Sequence, residues 1–136
     1  MRYVVIGNGI GGITAARELI KKTTPDSEVL IFSIESWGYY PRPKLPYFLE
    51  DHKIAPEKLI VYDKKWYEAT NIDLHLSEKI LEISTNKKEI TSGKGVYRYD
   101  RLLLSLGATP SNICALRDSS FCLTLSRGLV CFVDSK

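Results

Sequence analysis

Three glycines at fixed spacing, one acid and one arginine could carry chemistry in this chain. Gly7, Gly9 and Gly12 stand in the run Gly7-Asn8-Gly9-Ile10-Gly11-Gly12. In a dinucleotide cradle the first glycine permits the tight turn out of a strand. The second lets a pyrophosphate approach the backbone, and the third lets a helix pack close to the strand. A helix opening at such a turn offers unpaired N–H groups and the positive end of its dipole to phosphate. Glu35 lies 23 residues beyond Gly12. That is near the ~20-residue separation of an acid that hydrogen-bonds an adenosine ribose. Arg42 follows, with a planar fork of donors that suits phosphate or ribose.

These groups need elements to hold them, and the surrounding pattern supplies them. Arg2–Ile6 is a short apolar run that reads as a strand. Ile10, Ile13, Ala16, Leu19 and Ile20 fall at helical spacing, with Arg17, Glu18, Lys21 and Lys22 around the rest. Thr23-Thr24-Pro25-Asp26 stops that helix, because proline cannot continue it. Glu28–Phe32 reads as the next buried strand. Strand, glycine turn, helix, strand and acid therefore occur in order, which favours a nucleotide cradle over a βαβ unit whose glycines only permit packing.

The segment from Ser36 to Leu49 is rich in aromatics and prolines, so it is predicted to be a rigid loop. Two roles stand open for it. Its rings could wall a flat ligand, with Arg42 on a phosphate, or it is a surface loop pinned by aromatic packing with Arg42 solvated. Pro56–Leu59 could open a helical turn, and Asp63 suits an N-cap for Lys64–Ala69. Trp66 and Tyr67 read as core anchors. Ile72, Leu74 and Leu76 alternate with Asp73 and His75, as in a half-buried strand with its histidine on the polar side. Ile80–Ile83, Glu89–Thr91 and Val96–Tyr99 form an expected antiparallel meander, with turns at Asn86-Lys87-Lys88 and Ser92–Gly95. Leu102–Leu106 is a continuous apolar run fit for a buried parallel strand. Gly107 at its end could let backbone approach a ligand beside the first glycine turn.

Composition sets the outer bounds. With 136 residues, 44% hydrophobic and 26% charged, the chain has the make-up of one ordinary globular domain or part of one. A net charge of +3 is too small to argue for nucleic acid. No run approaches the ~20 apolar residues of a membrane span. The chain enters a strand at once, so no signal peptide is read, and the odd count of three cysteines makes no disulfide framework; a cytoplasmic setting is expected. His52 reads as a surface residue and His75 carries no evident chemistry. No Cys/His spacing points to a metal.

Taken together, the glycine run, Glu35, Tyr40-Pro41-Arg42-Pro43-Lys44-Leu45-Pro46, Trp66-Tyr67, the meander and Tyr99–Leu104 ending in Gly107-Ala108-Thr109-Pro110 resemble one family. It is the FAD-binding domain of pyridine nucleotide-dependent flavoprotein oxidoreductases, in the branch of NADH oxidases, rubredoxin and ferredoxin reductases and nitrite reductase flavin domains. The resemblance covers residues 1–112 and leaves 113–136 as a divergent tail, in which Phe121–Leu125 and Leu129–Val133 could form a hairpin. It implies an α/β, Rossmann-like FAD/NAD(P)-binding fold with a parallel sheet and a three-stranded meander. It also implies that FAD is the cofactor, NAD(P)H the co-substrate, and a small molecule or small redox protein the electron acceptor. Gly7 through Gly12 would hold the pyrophosphate and Glu35 the adenosine ribose. Arg42 would contact FAD, Ile80 would present its backbone to the adenine, and Gly107, Ala108 and Thr109 would line the nucleotide.

The chain departs from the family in four ways. No cysteine lies near the aromatic loop, which argues against disulfide chemistry. Tyr47 occupies a place where the family often has a lysine, for which Lys44 partly stands in. Leu106 replaces a threonine before Gly107. Finally, there is neither a second G-x-G-x-x-G nor a Gly-Asp pair, so the chain is expected to be truncated relative to the family. The competing functions are thus a flavoprotein reductase's FAD-binding part, a non-catalytic dinucleotide-binding module, and an NAD-binding dehydrogenase domain, which the glycines and acid also permit. Oligomeric state stays open.

Overall fold

The computed structural model describes residues 1–46, 55–107 and 129–133. The elements are β1 (Arg2–Ile6), α1 (Ile10–Lys22), β2 (Glu28–Phe32), α2 (Lys64–Ala69), β3 (Ile72–His75), β4 (Ile80–Ser84), β5 (Glu89–Ser92), β6 (Val96–Arg98), β7 (Arg101–Gly107) and β8 (Leu129–Val133), with 3-10 turns at Arg42–Lys44 and Pro56–Leu59. One sheet runs β3-β2-β1-β7-β8 and a second runs β4-β5-β6. Strands β1, β2, β3 and β7 are mutually parallel, while β8 lies antiparallel on β7. The strand expected at Leu129–Val133 therefore exists, and its neighbour is β7. Its expected hairpin partner at 121–125 lies outside the described residues.

The chain builds three layers. On one face of the main sheet, Val5, Val29, Ile31 and Leu103 pack with Ile13 and Ala16 of α1, with Tyr67 of α2 and with Tyr39. On the other face, Val4, Ile6, Leu30, Phe32 and Leu102 pack with Ile90 and Tyr99 from the meander side. Strands covered on both faces need apolar residues at every position, which is why β1, β2 and β7 read as continuous hydrophobic runs. Fully burying a side chain such as Ile13 or Ile31 stabilises the fold by about 1.5–3 kcal/mol.

Two expectations need correction. Ile10 does not join the buried face of α1, since it is 69% exposed; it opens the helix beyond the carboxyl end of β1, where no strand lies beneath it. Leu106 is likewise 65% exposed, so burial in β7 stops at Ser105. Elsewhere the local chemistry works as predicted. Asp63 accepts a hydrogen bond from the Trp66 N–H at 3.0 Å and caps α2, and α1 ends at Thr23, before Pro25.

Candidate functional site

The glycine turn sits at the carboxyl end of β1, and its three glycines answer to different demands. Gly7 has φ +110°, and a Cβ there would lie 2.0 Å from the Ser105 carbonyl oxygen of β7. A Cβ on Gly12 would lie 1.9 Å from the Gly7 carbonyl oxygen. Both positions are thus closed by the protein's own backbone. Gly9 is the exception: a Cβ there meets nothing within 4 Å, and its φ of −82° with ψ of −173° is open to any residue. No contact among the described residues requires a glycine at position 9.

The surroundings of Gly9 suit an anion. Gly9 is the N-cap of the 13-residue α1, it offers no side-chain cap, and the first turn holds no acid. The positive end of the helix is left for another partner. Beside it, Asn8 Nδ2 is buried with no hydrogen-bond partner among the described residues, while Asn8 Oδ1 accepts from the Tyr67 hydroxyl at 2.8 Å. A buried polar group without a partner is costly, and a bound water or a ligand oxygen would satisfy it. Burial pushes the Tyr67 phenol up to about 12, against hydrogen bonds with Asn8 and the Tyr39 backbone. Tyr67 was predicted as a core anchor, and it is buried, but its bond to the glycine turn was not legible in the sequence.

At the carboxyl end of the neighbouring strand β2, the Arg42 guanidinium donates to Glu35 Oε1 at 3.0 Å. Tyr40 stands near, its phenol pushed up by burial and by the Glu35 carboxylate. The aromatic loop is braced from behind. Tyr39 bridges to Tyr62, Tyr62 stacks on Trp66 with centroids 4.0 Å apart, and a Cβ on Gly38 would lie 2.1 Å from the Tyr62 carbonyl oxygen. Of the two roles open to the loop, aromatic packing does pin it, while Arg42 stays largely exposed and pairs with Glu35. Lys44 is exposed in the 3-10 turn that follows. Ile80 begins β4, packed against the core face that carries Phe32 and Tyr97. Gly107 ends β7 at φ +73° with open space around it. Ala108, Thr109, Tyr47 and His52 lie outside the described residues.

His75 is not simply on a polar side. It is mostly buried, it stacks on Phe32 with centroids 4.4 Å apart, and it faces Asp73 and Glu78 at 3.0 and 3.2 Å. The alternation rule misplaced it because the meander covers the end of its strand. Glu78 escaped the sequence altogether. It is 3% exposed and occupies a short turn where a charged residue ordinarily meets solvent. Among the described residues no group of His, Cys, Asp and Glu could hold a metal ion, and no helix is long and apolar enough to cross a membrane.

The profile of the pyridine nucleotide-disulphide oxidoreductase family matches residues 1–127. The chain is 31% identical over 110 residues to the nitrite reductase [NAD(P)H] of Bacillus subtilis, covering 80% of this chain and 14% of that protein. It is 30% identical over 141 aligned positions to the rubredoxin-NAD(+) reductase of Ectopseudomonas oleovorans, covering 96% of this chain and 36% of the other. Among solved structures, NADH:rubredoxin oxidoreductase from Clostridium acetobutylicum superposes with a TM-score of 0.74 at 22% identity, over 88% of this chain and 31% of that one. That likeness bears on the fold, which is the Rossmann-like α/β architecture with its separate meander. The chain spans well under half the length of these relatives. With the profile covering most of its residues, the chain belongs to the pyridine nucleotide-disulphide oxidoreductase family.

Proposed function

We propose that this chain holds the adenosine–pyrophosphate half of FAD, as part of a flavoprotein that takes a hydride from NAD(P)H and passes electrons to an acceptor. One observation carries this most: Gly9 is closed to no intramolecular neighbour, yet it stands beside an unpartnered Asn8 Nδ2 at an uncapped helix start. The site fits a pyrophosphate, with the first N–H groups of α1 free to donate to it and Gly9 leaving room for its oxygens. Glu35 would accept from the ribose hydroxyls, with Arg42 drawn beside it. Gly107, Ala108 and Thr109 would approach from the end of β7, Ile80 from the meander, and Lys44 from the aromatic loop. FAD itself would supply the redox chemistry, and these residues bind and orient it.

The acceptor is a small molecule or a small redox protein, as the name of the rubredoxin-NAD(+) reductase relative suggests. A reducing cytoplasmic setting fits three cysteines without a framework. Titrating the purified chain with FAD and following quenching of flavin fluorescence tests the proposal; a chain that leaves FAD fluorescence unchanged at high micromolar concentration would sink it. NAD binding tighter than FAD binding would favour the dehydrogenase alternative.

A second reading rests on the single glycine cradle in 136 residues. One cradle serves one dinucleotide, so the chain by itself acts as a binding module. Sustained NADH oxidation by this chain with an artificial acceptor would exclude that.

A further inference from the structure

Resting on the function proposed above, we infer that Glu78 is the positioning residue of the adenosine edge, holding the Glu35 segment in place through a strained Ser77. The Glu78 side chain is buried and takes four donors. The hydroxyls of Ser92 and Tyr97 donate to Oε1 at 2.5 and 2.9 Å. His75 Nδ1 and Lys94 Nζ stand 3.2 and 3.4 Å from Oε2. These partners come from β3, β5, β6 and the turn before β6, so one carboxylate ties the meander to the parallel sheet. A buried charge is tolerated only when paired and hydrogen-bonded on this scale.

The backbone around Glu78 leads straight to the candidate ribose acid. The Glu78 N–H donates to the Ser33 carbonyl at 2.9 Å, and the Ser33 N–H donates to the His75 carbonyl at 2.9 Å. The Ser77 N–H donates to the Glu35 carbonyl at 3.0 Å. Ser77 itself is held at φ +51°, a left-handed conformation that is uncommon and unfavourable for a serine. On one side Ser77 is tied to Glu35, and on the other stands Glu78, anchored by both its side chain and its N–H. Ile80, two residues further on, starts the strand expected against the adenine. A single buried carboxylate thus fixes both sides of the adenosine edge and has no contact with the glycine turn.

Glu78→Gln in the full 136-residue chain tests this, with FAD followed by fluorescence quenching and with ADP and inorganic pyrophosphate as competitors. FAD and ADP should each bind about tenfold more weakly, while pyrophosphate should compete within about twofold of its original strength. Amide exchange at Ser77 should accelerate in the ligand-free protein. Adding Ser77→Gly to Glu78→Gln should recover ADP binding, because glycine holds a positive φ at no steric cost. Unchanged ADP binding in Glu78→Gln, an equal loss of pyrophosphate, or a double variant no better than the single one would each overturn the positioning role. If Glu78→Gln fails to fold, Ser92→Ala and Tyr97→Phe each remove one donor and should weaken ADP alone by about threefold; equal ADP binding in both would overturn it. A wild-type chain that binds neither FAD nor ADP would overturn the proposed function itself, a result separate from all of these.

Discussion

The glycine turn and the Glu35–Glu78 edge flank the same end of the sheet but are built by opposite means. The turn is made of backbone. Its shape is set by close contacts, Gly7 against Ser105 and Gly12 against Gly7, and it has almost no charge of its own. The edge is made of side chains: an exposed Glu35–Arg42 pair on the surface and a buried carboxylate with four donors behind it. The first is rigid because atoms have nowhere to go. The second is rigid only while its polar groups keep their partners. Binding energy and stability should therefore separate differently in the two regions.

The largest effect should come from closing the turn. Gly12→Ala or Gly7→Ala forces a Cβ into a carbonyl oxygen and should destabilise the chain by about 3 kcal/mol or more, seen as a lower urea midpoint. Gly9→Ala adds the same methyl to open space. Its stability should stay within about 1 kcal/mol of wild type, while FAD affinity falls by about a hundredfold. Equal unfolding of Gly9→Ala and Gly12→Ala would erase the distinction between packing and ligand glycines.

Tyr67→Phe should cost about 1–3 kcal/mol, because Asn8 Oδ1 then loses its donor. On the other side, Arg42→Ala removes an exposed pair and should change stability by less than about 1 kcal/mol, yet weaken FAD by about tenfold. A stability loss without a binding loss would mean that Arg42 only pins its loop.

The smallest effect is one of pH. Burial alone would raise the Glu78 carboxyl, but bonds from Ser92, Tyr97, His75 and Lys94 hold it below its ordinary value of 4.5. A depressed carboxylate contributes stability that is present above that value and is lost as the pH falls through the folded pKa. Thermal unfolding followed from neutral pH to below 4.5 should show this loss, and Glu78→Gln should flatten it.

The two regions also differ in how far they could be read from residue order. Backbone-made structure leaves a signature, because only glycine fits certain places and only apolar residues suit doubly covered strands. So β1, α1, β2, the meander and β7 were all foreseeable. Side-chain networks leave none. Glu78 in Ser77-Glu78-Lys79 looks like a solvated turn, and the four residues that satisfy it are spread from position 75 to 97. His75 was misread for the same reason, since the layer that buries it arrives from a later stretch of chain. Ile10 erred in the other direction: periodicity marks a face but not where the surface beneath it ends.

The contact between Gly7 and Ser105 also has a consequence in time. The turn leaves the ribosome well before the backbone that closes it, which is made 98 residues later. At ordinary rates of synthesis that interval is roughly 5–20 s. For that long β1 lacks its β7 neighbour, and the half-built cradle is an open strand edge beside an amphipathic helix. A nascent chain stalled before residue 101 should thus be sensitive to protease and chaperones, and one released after residue 107 much less so.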